Sequence, residues 1–164
     1  MKVQKLKVYR IVPFEENVKV GKPAIPHEWK VKGEFKQKIE STLEKYRPKE
    51  YPPRSICLYV CFSKKNAEEW AYMKYGRHNT PYKLLTLEVT GELFWFMTDR
   101  YNFLKDGDSP EKINKACSNY WSSMKESMED LPIDRGYEGL FVGDNEIVAI
   151  ECMEYVDGES RSTE

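Results

Sequence analysis

A chain of 164 residues, 40% of them hydrophobic, makes one ordinary domain that can bury a core without disulfide or metal staples. Its 26 Lys and Arg against 27 Asp and Glu leave a net charge of −1, which argues against a general nucleic-acid binder. The charge is uneven, with 14 basic against 7 acidic side chains in residues 1–54, so an anionic ligand near the amino-terminal third is one reading and simple complementarity between the two parts is the other.

In chain order, Leu6 to Val12 (LKVYRIV) interleaves apolar and charged residues as a first strand from which Arg10 projects. Phe35, Ile39, Leu43 and Tyr46 recur at helical spacing, and Pro48 closes that helix. Ser55 to Phe62 (SICLYVCF) follows a Pro-Pro breaker and reads as a largely buried strand, in which Cys57, Tyr59 and Cys61 share one face. Ser63 is the expected N-cap of a helix carrying Ala67, Trp70, Ala71 and Lys74 as a stripe and stopping at Gly76. Tyr82 to Thr90 is a strand, and Gly91 separates it from ELFWFM as a hairpin or a kinked strand. Cap, proline and acidic first turn coincide at residues 108–111, opening a helix that is expected to continue through Ile113, Cys117, Tyr120, Trp121 and Met124. GYEGLFVGDNEIVAIEC reads as a β-hairpin turning at Gly143, Asp144 and Asn145, with Glu146 starting the returning strand. The polar tail, residues 156–164, is expected to be disordered beyond a single domain of residues 1–155. The order β-α-β-α-β-β-α-β-β, without a repeated βαβ unit, predicts an α+β fold.

No apolar run approaches the roughly 20 residues a membrane helix needs, and MKVQKLKVYRIV lacks the apolar core of a signal peptide, so a cytoplasmic protein with no membrane partner is expected. Cys57, Cys61, Cys117 and Cys152 form no C-x-x-C pair, and only His27 and His78 stand beside them, which predicts buried thiols and no metal. The oligomeric state has no readable signal.

The strand, hinge and helix of residues 51–75 gather aromatics, hydroxyls and helix-start amides, a junction suited to an anionic cofactor. Arg10 on the first strand, Tyr59 on the second and Glu146 beside the last turn stand out in the same way. Together with CLYVCFSKKNAEEWAYM and GYEGLFVGDNEIVAI, this pattern resembles the ADP-ribosyltransferase fold of poly(ADP-ribose) polymerases and bacterial mono-ADP-ribosylating toxins. The resemblance implies a split, mixed β-sheet with flanking helices. It implies NAD as substrate, Arg10 contacting it, Tyr59, Ser63 and Ala67 at the second strand and helix start, and Glu146 as the catalytic glutamate. It touches the first strand, residues 51–75 and residues 136–151. An arginine on the first strand is similar to the toxins, whereas the second strand is similar to the polymerases.

The residue types suit that chemistry. The fork of Arg10 or Arg54 can clamp a pyrophosphate, with Ser55 beside it, and the ring of Tyr59, Trp70 or Tyr72 can stack on a cationic nicotinamide. Glu146 can hold a ribose hydroxyl and stabilise an oxocarbenium-like centre, and Asp144 can orient an acceptor. Asp99, Arg100 and Tyr101 can form part of a lid. Taken singly, Tyr59 and Trp70 read as core aromatics, Glu146 as a solvated charge and Arg10 as a salt-bridge partner. The expected activity is transfer of ADP-ribose to a protein or nucleic-acid acceptor with release of nicotinamide, in a small bacterial or phage effector or toxin. A catalytically silent nucleotide- or protein-binding module and an RNA 2′-phosphotransferase are the alternatives.

Overall fold

The computed structural model describes residues 1–21, 33–76, 80–129, 131, 136–143, 147–156 and 159–162. They form an α+β fold in which β1 (Lys2–Pro13), α1 (Glu34–Lys45), β2 (Leu58–Val60), α2 (Lys64–Tyr75) and β3 (Tyr82–Met97) come first. α3 (Asp99–Asn102), α4 (Pro110–Trp121), β4 (Tyr137–Val142), β5 (Ile147–Val156) and β6 (Glu159–Ser162) complete it.

The architecture is organised by β3, which is one bent strand and not a hairpin. Gly91 sits at the bend with φ +154, and a Cβ there would run into the carbonyl oxygen of Val142. That is why the chain has glycine at this point. β1 lies along one side of β3, with Arg10 opposite Leu85 and Pro13 opposite Tyr82. Along the other side run β4, with Met97 opposite Tyr137, and then β5, with Val89 opposite Ile147.

The expected β4–β5 hairpin is therefore corrected: both strands run antiparallel to β3, hence in the same direction as each other, and neither pairs with the other. Turn-forming residues signal a break in the chain, but not whether it reverses. Asp144, Asn145 and Glu146 lie outside the described residues.

β2 pairs with β4, Tyr59 opposite Leu140. It also meets β1, where the amides and carbonyls of Tyr9 and Cys61 exchange hydrogen bonds of 3.0 and 2.6 Å. The ladder β1–β3–β4–β2–β1 thus closes on itself. Every described pairing is antiparallel, which corrects the expected mixed sheet. A parallel pair needs a long crossover between neighbouring strands, and here the helices join strands that are not parallel partners.

β3 is buried on both faces. Leu85, Leu87, Val89, Leu93 and Trp95 join Val8, Val12, Val60 and Phe141 in one core cluster. Phe94 and Phe96 face the α1–α4 side with Ile39, Leu43, Cys117, Tyr120 and Trp121, while Leu84 faces α2. The Trp121 indole donates to the Leu43 carbonyl at 2.8 Å, tying α4 to α1.

Three further expectations change. The strand expected over Ser55–Phe62 shortens to β2, because Arg54–Ile56 winds into a 3₁₀ turn after Pro53. α4 ends at Trp121, before Met124. Within the tail expected to be disordered, Glu159–Ser162 pairs with β5, because backbone groups at a sheet edge can hold a polar segment without apolar side chains. No described helix is long and apolar enough to cross a membrane.

Candidate functional site

The seam between β1 and β2 brings two of the sequence-selected residues together. The Arg10 guanidinium donates from Nη1 to the Tyr59 carbonyl at 2.8 Å. A guanidinium carries five N–H donors, and this is its one side-chain bond among the described residues. Burial lowers the Arg10 pKa, while Glu16, Cys61, Tyr59 and Tyr75 act to raise it, and arginine keeps its charge at any working pH.

A second cation stands close by. The Lys74 ammonium lies below its ordinary pKa, first through burial and then through repulsion from Arg10 and Lys36. Sequence reasoning saw Lys74 only as a member of a helical stripe and did not single out Lys36, since nothing in the chain shows that α1, α2 and β1 bring these charges within reach.

α2 is built for close approach to the sheet. Ala67 and Ala71 are fully buried against it, so the helix backbone can lie near β1. Ser63 caps the helix as expected, its hydroxyl accepting from the Asn66 amide at 3.0 Å. Arg10, however, lies towards the far end of α2, beside Lys74 and Tyr75. The junction is therefore an extended arrangement along a helix of 12 residues, about 18 Å long, and not a single cluster.

Arg54 is placed differently from the expectation. It is 5% exposed, and its guanidinium is consumed internally. Nε and Nη2 bond both Glu40 carboxylate oxygens at 2.9 and 3.0 Å. Nη1 pairs with Glu138 and donates to the Tyr120 hydroxyl at 2.6 Å, and Nη2 also reaches the Tyr101 hydroxyl at 3.2 Å. The rings of Tyr59, Tyr101 and Tyr120 surround it at 5.1 to 5.2 Å. Burial opposes the charge, but Glu138 and the three phenols overcome it and hold the Arg54 pKa well above its ordinary value.

Arg54 as a pyrophosphate clamp is thus corrected: its donors are spent, and an anion would have to displace two carboxylates. Exposed Ser55 opens with it on a pocket of about 370 Å³ that also contains Glu40 and Glu44, an acidic setting. Tyr101, considered for a lid, is instead anchored in this network, and its hydroxyl also donates to Glu138 at 3.3 Å.

Tyr59 links the two arginines. Its carbonyl holds Arg10, its hydroxyl donates to the Arg54 carbonyl at 3.0 Å, and one ring face is taken by the Arg54 guanidinium. Burial pushes its phenol pKa far up, so it is no proton donor to solvent at neutral pH. Trp70 is half-buried on α2 beside a different pocket, and Tyr72 is 74% exposed.

All four cysteines are free and buried. Burial lifts Cys57 and Cys61 to about 12 and Cys117 to about 11, so these are packed thiols without nucleophilic character. Cys57 and Tyr59 pack together towards α1 and α4 as expected, whereas Cys61, expected on the same face, packs towards α2. Among the described residues, no three His, Cys, Asp or Glu side chains converge as a metal site would require. His27, His78 and Glu146 lie outside them.

A family model described as a protein of unknown function, DUF2441, matches residues 22–154. No curated protein matches the chain.

Proposed function

The chain belongs to the DUF2441 family, and for this member we propose an NAD-dependent ADP-ribosyltransferase that moves ADP-ribose to a protein or nucleic-acid acceptor and releases nicotinamide. One observation carries the reading: Arg10 is fixed by a single bond to Tyr59 at the β1–β2 seam, with donors to spare and Lys74 close by. A half-buried guanidinium bonded to one neutral carbonyl, with Glu16 acting on it through space, has N–H donors left for an anion.

The chemistry divides along α2. Arg10 and Lys74 bind the pyrophosphate at one end, and the amide-rich end capped by Ser63 receives the other part of the dinucleotide. Glu146, which directly precedes β5 in the chain, hydrogen-bonds the ribose and stabilises the positive charge that grows as the glycosidic bond stretches. Arg54 holds the scaffold and contacts no substrate. The reaction takes place in the cytoplasm and needs no metal, so chelator leaves it intact.

The test is nicotinamide release from NAD by the purified protein, with and without cell lysate, beside Glu146→Gln checked for fold by circular dichroism. Release by the wild type and its loss in the folded variant are expected. A wild type that neither binds nor cleaves NAD would overturn the proposal.

A further inference from the structure

A second concave site lies on the other flank of α2. Asn66, Glu69, Trp70 and Met73 face Asp99 and Phe103 across a pocket of about 310 Å³. Its floor is fixed, because the amide and the hydroxyl of buried Thr98 both donate to the Gly136 carbonyl at 2.8 and 3.0 Å.

The informative residue is Asn66. It is 4% exposed, and its side-chain oxygen has no hydrogen-bond partner among the described residues. An unpaired buried acceptor costs roughly 1–3 kcal/mol, so stability does not account for it on α2. A ligand carrying N–H donors would satisfy that oxygen.

The other walls narrow the chemistry. Glu69 and Asp99 place two carboxylates at the pocket, with no ion-pair partner for either among the described residues. Among the described lining residues there is no Lys, Arg or His. Trp70, Met73 and Phe103 are apolar, and the last two are 69% and 75% exposed. An anion would meet these two carboxylates here. A neutral heterocycle could satisfy Asn66 but would leave both carboxylates unpaired. A flat cation with several N–H donors on an aliphatic stem answers every wall: donors to Asn66, charge to Asp99 and Glu69, and a planar face to Trp70.

We infer that this pocket binds an alkylguanidinium group, as carried by arginine in a peptide or by a free arginine-like amine. The inference does not depend on the NAD reading, because it concerns a separate pocket of opposite charge preference.

The probe is ethylguanidinium, titrated into the full chain while the Trp70 indole N–H signal, assigned with Trp70→Phe, is followed by NMR. N-ethylurea serves as the neutral isostere. A saturable shift with ethylguanidinium, absent with N-ethylurea and weakened at least tenfold in Asp99→Asn, is expected. Glu69→Gln, a change on an exposed helix position, gives the same reading without risk to the fold. Tighter binding of Gly-Arg-Gly than of agmatine would identify a peptide as the source, and the reverse a free amine; either supports the site. Equal response to N-ethylurea, indifference to both carboxylate substitutions, or preferential binding of adenosine or nicotinamide would overturn it.

Discussion

Replacing Arg54 by methionine removes the one cation from a site where Glu40 and Glu138 both point at it, leaving side chains 18% and 11% exposed to carry unpaired charge. Breaking a buried ion pair by removing one partner costs about 3–5 kcal/mol. In a domain of this size each kcal/mol lowers Tm by about 2–4 °C, so the variant is expected to melt roughly 6–20 °C below the wild type. Thermal and urea denaturation followed by circular dichroism measure this directly. Adding Glu138→Gln should recover part of the loss, since one of the two stranded charges disappears while the Tyr120 hydroxyl, now 2.7 Å from a Glu138 oxygen, keeps a partner. An Arg54→Met protein as stable as the wild type within about 1 kcal/mol, but impaired in NAD binding, would refute the structural role and return Arg54 to the ligand.

Gly139 faces Val60, Trp95 and Leu93, whose nearest atoms lie 2.7, 2.8 and 3.0 Å from where a Cβ would sit, so Gly139→Ala should overpack the core and cost about 1–3 kcal/mol in urea denaturation. The Cys57 and Cys61 thiols have folded pKa values raised from 9.0 to about 12, so the unfolded chain loses these protons first as pH rises. Their contribution is intact below about pH 8, falls by about 1.4 kcal/mol each by pH 10 and keeps falling towards 12, and Cys61→Ala should flatten the measured slope. Lys74 has its pKa lowered by burial and then by Arg10 and Lys36, so phosphate-bearing ligands should bind more weakly as pH rises towards the ordinary lysine range. Lys74→Met should weaken binding at neutral pH and abolish that pH dependence in calorimetric titration.

The helices were legible because each buries a face that the sequence writes at helical spacing: Ile39 and Leu43 on α1, Ile113, Cys117, Tyr120 and Trp121 on α4. Gly91 was legible as a break, and the hinge at Ser63 as a cap. Strand partners were not. Whether the chain turns back or continues after Gly143 depends on β3, which lies some fifty residues earlier and bends opposite that point, with Val142 paired to Glu92 and Ile147 to Val89. The polar edge strand β6 was hidden for a related reason, since its pairing is made by backbone groups that every residue carries.

The two arginines mark the limit of residue-type reasoning in the site. Arg10 and Arg54 offer the same planar fork, and the sequence gives both equal claim to an anion. Their partners decide otherwise: Arg54 meets Glu40, Glu138, Tyr101 and Tyr120, which are 14, 84, 47 and 66 residues away in the chain, while Arg10 meets a single backbone carbonyl 49 residues away. A guanidinium bonded to two carboxylates and two phenols is neutralised and serves the fold, whereas Arg10, bonded to one carbonyl with Glu16 acting on it only through space, keeps N–H donors for a ligand. Tyr59 touches both, so a substitution there disturbs the scaffold and the seam together. Mutating Tyr59 therefore cannot separate stability from ligand binding, and Arg10→Gln, which spares the Arg54 network, is the variant that isolates the seam.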